Sequence, residues 1–291
     1  MSQNKASHVQ PKRVIFCTYS SLYSSIVLEK LIAEKDIDIV AIINSTRIIH
    51  PEYGAVSGAI KQIQTSGWRY ASYLFMVTDL FRWFQPLSKI LSKVIPTKYQ
   101  KSVHALAKQQ TIPILNTIDI NLSESVNFIK ESNPDYLLAA HFNQLIKPTV
   151  LDLSGIEFLN IHPSVLPAYK GVDPVFYALL TRQKESGVSL HKMSEVFDSG
   201  EILSQKIISM RAKQSVFFYN CQLFSEGAIL AIAWMKNKTT SISESTSFVK
   251  DKVNVSNNDE NYDSWPDRSQ IKQFKQADNY LVKLLELWKR Y

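Results

Sequence analysis

Three side chains stand out for chemistry: the amide of Asn160, the imidazole of His162 and the carboxylate of Asp198. The first two lie in Phe158-Leu-Asn-Ile-His-Pro-Ser-Val-Leu-Pro-Ala-Tyr-Lys-Gly171, the third in Val196-Phe-Asp-Ser-Gly-Glu-Ile-Leu203. Moving an acyl group between two nitrogens develops negative charge on oxygen and releases a proton, so such a site needs donors aimed at that oxygen and a base. An Asn amide is a fixed neutral donor, and a His donates when protonated and accepts when neutral. A nearby carboxylate holds the imidazole in one tautomer or takes up a proton through water. No Ser or Cys nucleophile has to be invoked, which suits direct transfer better than a covalent acyl-enzyme. A lone Asn-x-His is ordinarily a turn or core-edge pair. This one gains weight from the adjoining His-Pro-Ser-x-Leu-Pro and the distant Asp-x-Gly-x-Ile-Leu. Metal binding by His141, His162, His191 and Asp198 lacks a compact ligand spacing, so no metal is expected.

The elements that must position these groups alternate between strand and helix. Val14 to Thr18 and Asp38 to Ile43 are β-prone apolar runs flanking a helical pattern from about Ser24 to Lys35, which implies a right-handed parallel βαβ unit. The loop after the first strand, Tyr19-Ser-Ser21, holds no glycine for close backbone approach to a phosphate, which disfavours a dinucleotide site. Later strands are expected at 112–115, 136–140, 156–161, 188–193 and 202–209, and helices at 104–110, 124–131, 174–182 and 215–235. Asn160 and His162 then project from the same face of one strand. The loop after Ala140, His141-Phe-Asn-Gln-Leu-Ile-Lys-Pro148, sits at a strand's carboxyl end, where ligands of open α/β sheets collect. His141 reads as a lining residue rather than a reacting one.

Between 53 and 98 the pattern is helical and aromatic, with Tyr70, Tyr73, Leu74, Val77, Phe81 and Phe84 near helical spacing beside Arg69, Arg82, Lys89 and Lys93. Helices packed on the sheet with a basic outer face account for this; a membrane-surface role for 68–98 is the alternative. Residues 237–261 are polar and aperiodic and read as a linker. Asp267 or Ser269 caps a final helix expected to run to Arg290, with Phe274, Leu281, Leu284, Leu285 and Trp288 on its apolar face. The expected division is a flexible tail over 1–12, a catalytic domain over 13–236 with the helical insertion at 53–98, the linker, and a helical extension over 262–291.

The 291 residues are 45% hydrophobic and 20% charged, with a net charge of +7. The composition is globular, and the charge suits an anionic partner such as phosphate, nucleic acid, a polyglutamated cofactor or an acidic membrane, or simply a basic surface. Two cysteines without a Cys-x-x-Cys pairing argue against a disulfide framework and suit a reducing, cytoplasmic setting. The polar, basic first residues lack a secretory apolar region. Arg69, Asp79 and Arg82 interrupt the aromatic segment, so no membrane span is expected.

Asn160-Ile-His-Pro-Ser-Val-Leu-Pro167, Gly171, Ser186-Gly-Val-Ser-Leu-His191 and Phe197-Asp-Ser-Gly-Glu-Ile-Leu-Ser-Gln205 together resemble the signature of the 10-formyltetrahydrofolate-dependent formyltransferases. That family includes methionyl-tRNA, glycinamide ribonucleotide and sugar N-formyltransferases. The resemblance covers roughly residues 12 to 235 and is strongest from 136 to 206. It implies an α/β, Rossmann-like formyltransferase fold, a mostly parallel sheet flanked by helices. It also implies Asn160, His162 and Asp198 as the catalytic triplet and 10-formyltetrahydrofolate as co-substrate. The segments Ala139 to Ile146 and Met193 to Gly200 match loops that hold the folate pterin, partly through backbone groups. Ala140, His141, Phe142, Asn143, Leu145, Ser194, Val196 and Phe197 are the folate-binding candidates. The missing glycine loop after the first strand disfavours a glycinamide ribonucleotide acceptor. The C-terminal β-barrel of the tRNA enzymes has no counterpart in the residues after 236. An amino sugar or another small amine is therefore the expected acceptor, with initiator tRNA and a non-catalytic folate-binding role as alternatives.

Overall fold

The computed structural model describes residues 10–47, 54–80, 101–211, 213–237, 262–283 and 285–286. Its strands are β1 (Lys12–Thr18), β2 (Ile37–Ser45), β3 (Ile114–Thr117), β4 (Tyr136–Ala140), β5 (Glu157–His162), β6 (Glu185–Lys192) and β7 (Ile202–Ser209). They form one sheet in the order β3-β2-β1-β4-β5-β6-β7. Pairing is parallel from β3 to β5 and antiparallel from β5 to β7. The strand order reverses between β1 and β4, and their carboxyl ends open the crevice in which such sheets bind ligands. The fold is α/β with a mostly parallel sheet flanked by helices, as the βαβ pattern predicted.

Both faces of the sheet are covered, which is why the central strands read as unbroken apolar runs rather than alternating ones. Val14 and Phe16 of β1 point into a core shared with α1 (Leu22–Ala33) and a later helix; Ile15 and Cys17 point into a second core with Ile120, Ile129 and Leu137. The first helix starts at Leu22, ahead of the expected Ser24, because Ser21 and Ser24 form a reciprocal capping box. On the far side of the insertion come α3 (Val103–Gln110), α4 (Ser123–Ser132), α5 (Pro148–Leu151), α6 (Pro174–Leu180) and α7 (Val216–Asn237), with α2 described below. Helix α7 crosses the sheet where Gly227 meets Ile161 and Val188, an approach that a Cβ would block. By length and a mean hydropathy of 1.3 this helix, expected at 215–235 but not read there as a span, is apolar enough to cross a membrane, yet 61% of its most apolar stretch is buried within the protein. Cys17 and Cys221 are both buried and unpaired.

Two helical expectations need correction. Helix α2 (Ala55–Phe75) is interrupted at Gly67 (φ 80°, ψ 162°) and runs into a π-helical turn at Met76–Leu80. Tyr70, Tyr73 and Val77 are buried on its inner side, while Trp68 and Phe75 are exposed. The rest of the proposed insertion, most of the linker and residues 1–9 lie outside the described residues. Near the C-terminus, α8 spans only Arg268–Gln276, capped as expected by Asp267. Asp278 turns into the left-handed region (φ 58°). The chain then runs alongside the start of α7, where Val216 N–H donates to the Tyr280 carbonyl and Phe217 N–H to that of Leu281, both at 2.9 Å. The first N–H groups of a helix lack intrahelical partners, so satisfying them here competes with prolonging α8. Phe274 is buried and stacks on Phe176 at 4.5 Å, but Leu285 is 80% exposed rather than part of an apolar face. Leu284 and Trp288 lie outside the described residues.

Candidate active site

Asn160 and His162 leave β5 on the same face, and the antiparallel register sets Asn160 opposite His191 of β6. The Asn160 amide Nδ2 lies 2.9 Å from His191 Nε2. An amide nitrogen only donates, so His191 Nε2 is the acceptor and its proton resides on Nδ1, which lies 2.8 Å from the Lys192 carbonyl. Burial, followed by the charge of neighbouring His162, pushes the His191 pKa down, consistent with that neutral tautomer. One amide N–H of Asn160 is thus fixed on His191 and the other is left for the cavity.

His162, 5% exposed, is held from both sides. Its Nε2 lies 3.0 Å from the Tyr169 carbonyl and its Nδ1 3.3 Å from Asp198 Oδ1. A carbonyl accepts only, so Nε2 carries a proton, and Nδ1 faces a carboxylate oxygen. Asp198 is fixed in turn: its Oδ2 accepts the Gly171 N–H at 2.9 Å, and Oδ1 lies 3.9 Å from His191 Nε2. The loop between β6 and β7 reaches this position through a turn at Gly200, where a Cβ would overlap the Lys192 carbonyl. Asp198 itself takes a left-handed φ of 52°.

These groups line one cavity of about 430 Å³, within the usual range for small-molecule sites. Of the predicted folate residues, His141, Phe142, Asn143, Leu145, Ser194, Val196 and Phe197 line it, along with Gln144 and Ile146. Ala140 does not; it is fully buried at the end of β4. The polar side chains of the 141–146 loop are largely spent on anchoring it. Asn143 donates to the Arg47 carbonyl (2.8 Å) and accepts from Ser45 Oγ (2.6 Å). Gln144 donates to Ser45 Oγ (2.7 Å) and accepts the Ile120 N–H (2.6 Å). His141 Nδ1 donates to the Tyr19 carbonyl (3.1 Å), and burial pushes its pKa down. What the loop offers a ligand is therefore mainly backbone and apolar surface. Across the cavity, Val196 and Phe197 are 64% and 39% exposed.

The family model described as formyl transferase matches residues 56–227. This chain belongs to the formyl transferase family. Among relatives, the methionyl-tRNA formyltransferase of Thermotoga maritima is 34% identical over 118 residues, 40% of this chain and 36% of that protein. That of Kosmotoga olearia is 31% identical over 144 residues, 50% of this chain and 45% of that protein. The chain thus spans under half the length of these curated relatives. In fold it resembles phosphoribosylglycinamide formyltransferase from Bacillus halodurans (TM-score 0.51, 17% identity, covering 79% of this chain and 96% of that one). It also resembles a formyltetrahydrofolate deformylase from Pseudomonas syringae (TM-score 0.53, 15% identity, covering 81% and 64%).

The cavity has a second wall, and here the sequence reading was incomplete. Tyr23, Tyr73, Asp173, Asn220, Tyr262 and Trp265 also line the cavity. They come from five separate stretches of chain, with no spacing signal to join them. The legible cue was the aromatic helical pattern between 53 and 98, which holds Tyr73. Gly171 bridges to Asp263, an approach that a Cβ on Gly171 (φ 106°) would block. Asp263 N–H donates to the Lys170 carbonyl and Val172 N–H to that of Asp263, both at 2.8 Å, which brings Tyr262 and Trp265 to the cavity. His191 had entered only as part of the motif and as a discarded metal ligand; its cross-strand pairing with Asn160 was the missed signal. No group of three His, Cys, Asp or Glu side chains among the described residues is arranged to hold a metal ion.

Proposed function

We propose that the chain transfers the formyl group of 10-formyltetrahydrofolate to a primary amine of a small molecule, most simply an amino sugar. The observation that carries this reading is the convergence of Asn160, His162 and Asp198 on one cavity whose opposite wall is the 141–146 loop. That loop, Ser194, Val196 and Phe197 would hold the folate through backbone groups and apolar contact, and the bound folate would supply the formyl carbon. Asn160 would donate its free amide N–H to the formyl oxygen as negative charge develops there, with His191 holding the amide's orientation. His162 would add a second donor to that oxygen once substrate displaces one of its present partners; catalytic hydrogen bonds commonly tighten only in the substrate complex. Asp198 would orient His162 and accept, directly or through water, the proton that the attacking amine releases.

Two features support a small acceptor over a large one. The second wall of the cavity is built largely of aromatic side chains, and the cavity's volume is about 430 Å³. A second reading, transfer to the aminoacyl group of initiator tRNA, is favoured by the names of the sequence relatives. Mass spectrometry of reactions with 10-formyltetrahydrofolate separates the two. N-formyl products are expected from free or nucleotide-linked amino sugars. Product from methionyl-tRNA alone would transfer the assignment to the second reading, and no product from any amine, with the donor bound, would remove formyl transfer altogether.

A further inference from the structure

The wall opposite the folate loops carries a carboxylate that the formyl-transfer chemistry does not use. Asp173 lines the same cavity as His162 and Asp198 and lies two residues beyond Gly171, whose N–H holds Asp198. Two residues of chain span at most about 7 Å, so the two carboxylates belong to one compartment. Tyr70 Oη donates to Asp173 Oδ2 at 2.7 Å, and Asn220 Nδ2 lies a long 3.5 Å from Oδ1. Asn220 also reaches Tyr73 Oη at 3.5 Å, and Tyr73 shares a 2.6 Å hydrogen bond with Tyr23. A carboxylate offers about four acceptor positions, and Tyr70, Asn220 and the nearby Phe176 N–H together do not exhaust them. Among the described residues no cation pairs with Asp173, and Arg47 is the only Lys or Arg among those lining the cavity.

Three independent features point the same way. Asp173 takes a left-handed conformation (φ 48°, ψ 56°) at the start of α6, an arrangement that costs backbone energy and is maintained here by Tyr70. The residue as a whole is half-buried and lines the cavity, and burial of its carboxyl pushes the pKa up. A group so placed gains most from a ligand that brings its own hydrogen-bond donors or positive charge. Trp265 packs edge-on to Tyr70 at 6.3 Å and also lines the cavity, adding apolar aromatic surface beside the carboxylate.

We infer that Asp173, with Tyr70, Asn220 and Trp265, forms an acceptor subsite that selects a hydroxyl-bearing primary amine and excludes phosphate from the reacting end of the acceptor. The carboxylate accepts hydrogen bonds from hydroxyls next to the amine-bearing carbon, and the indole covers the apolar face of the ring. Any phosphate on such an acceptor stays outside the compartment, because the carboxylates of Asp173 and Asp198 oppose it there. This assignment rests on the formyl-transfer reading and deepens it.

The test compares transfer from 10-formyltetrahydrofolate to amino hexoses, free and nucleotide-linked, with transfer to cyclohexylamine, which matches the ring but lacks hydroxyls. The wild type should prefer the best amino sugar, and Asp173→Asn should lower kcat/KM for it by about tenfold or more while changing cyclohexylamine less than about threefold. Tyr70→Phe should move the same ratio in the same direction by a smaller factor, with donor affinity unchanged in both variants as the check on folding. An unchanged ratio in a folded Asp173→Asn or Tyr70→Phe protein, or a wild type that shows no preference for hydroxylated amines, overturns the subsite while leaving formyl transfer standing. A wild type that binds the donor and formylates no amine overturns both.

Discussion

The two walls of the cavity are built on opposite plans. The proposed donor wall comes from the loops that follow β4 and β6, the strands on either side of β5, and its side chains are absorbed in local anchoring: Asn143 and Gln144 to Ser45, His141 to Tyr19. The proposed acceptor wall gathers Tyr23, Tyr73, Asp173, Asn220 and Trp265 from α1, α2, the start of α6, α7 and residues 262–265, with the buried Tyr70 hydrogen-bonded to Asp173 from behind. A wall that presents backbone suits a ligand that is the same throughout a family. One built from side chains of distant segments can be altered piece by piece. The proposed catalytic groups lie on the seam, since Gly171 fixes Asp198 with its N–H and leads directly to Asp173.

That seam supplies the largest expected effect. Gly171→Val places a Cβ against the Asp263 backbone at a φ of 106°. It should pull both walls apart, lowering kcat/KM by about a hundredfold or more and the unfolding free energy by several kcal/mol, as measured by kinetics and denaturant melts. Equal loss of donor and acceptor binding would support a shared seam; loss of one alone would divide the walls. Next in size, His191→Ala should reduce kcat by about ten- to a hundredfold with little change in KM for either substrate, because it frees the Asn160 amide without touching substrate. His191→Gln, which can again accept from Asn160, should recover part of that loss; without such recovery, the positioning role is wrong.

Smaller still, Trp265→Ala should raise the acceptor KM by about three- to tenfold and leave donor affinity alone. A rise in donor Kd instead would erase the distinction between the walls. The smallest effect concerns pH. His141 is held neutral, its pKa pushed down by burial. As pH falls below the unfolded value of about 6.5, the unfolded chain takes up a proton that the folded one resists. Its stabilising contribution is therefore complete above that pH and declines below it, by at most about 1.4 kcal/mol per pH unit. His141→Asn, which tolerates the left-handed φ of 52°, should flatten the fall in melting temperature between pH 7 and pH 5. An unchanged slope would show that His141 carries none of it.

What could be read from the chain follows the same division. The sheet was legible because β1, β2, β4 and β5 are short apolar runs bounded by helical patterns, and strand periodicity placed Asn160 and His162 together. The 136–206 stretch was legible because its residues meet through neighbouring strands. Three things were not. The break in α2 depends on Gly67 taking a left-handed conformation, which the surrounding apolar pattern hides. Helix α8 stops at Gln276 because residues 280 and 281 find partners at the start of α7, more than sixty residues away in sequence. The Asp173 cluster joins Tyr70 and Asn220 across 103 and 47 residues, and no local spacing records such contacts.

The central claim is that Asn160, His162 and Asp198 perform formyl transfer rather than merely shape a folate pocket. The most direct measurement is the single-turnover rate of tetrahydrofolate release from 10-formyltetrahydrofolate in the presence of the amine acceptor, compared in the wild type and in Asp198→Asn and His162→Asn, with donor Kd determined on the same samples. The account predicts that each variant loses about a hundred- to a thousandfold in rate, with donor affinity within a few-fold of the wild type. Near-wild-type rates in both variants would contradict it.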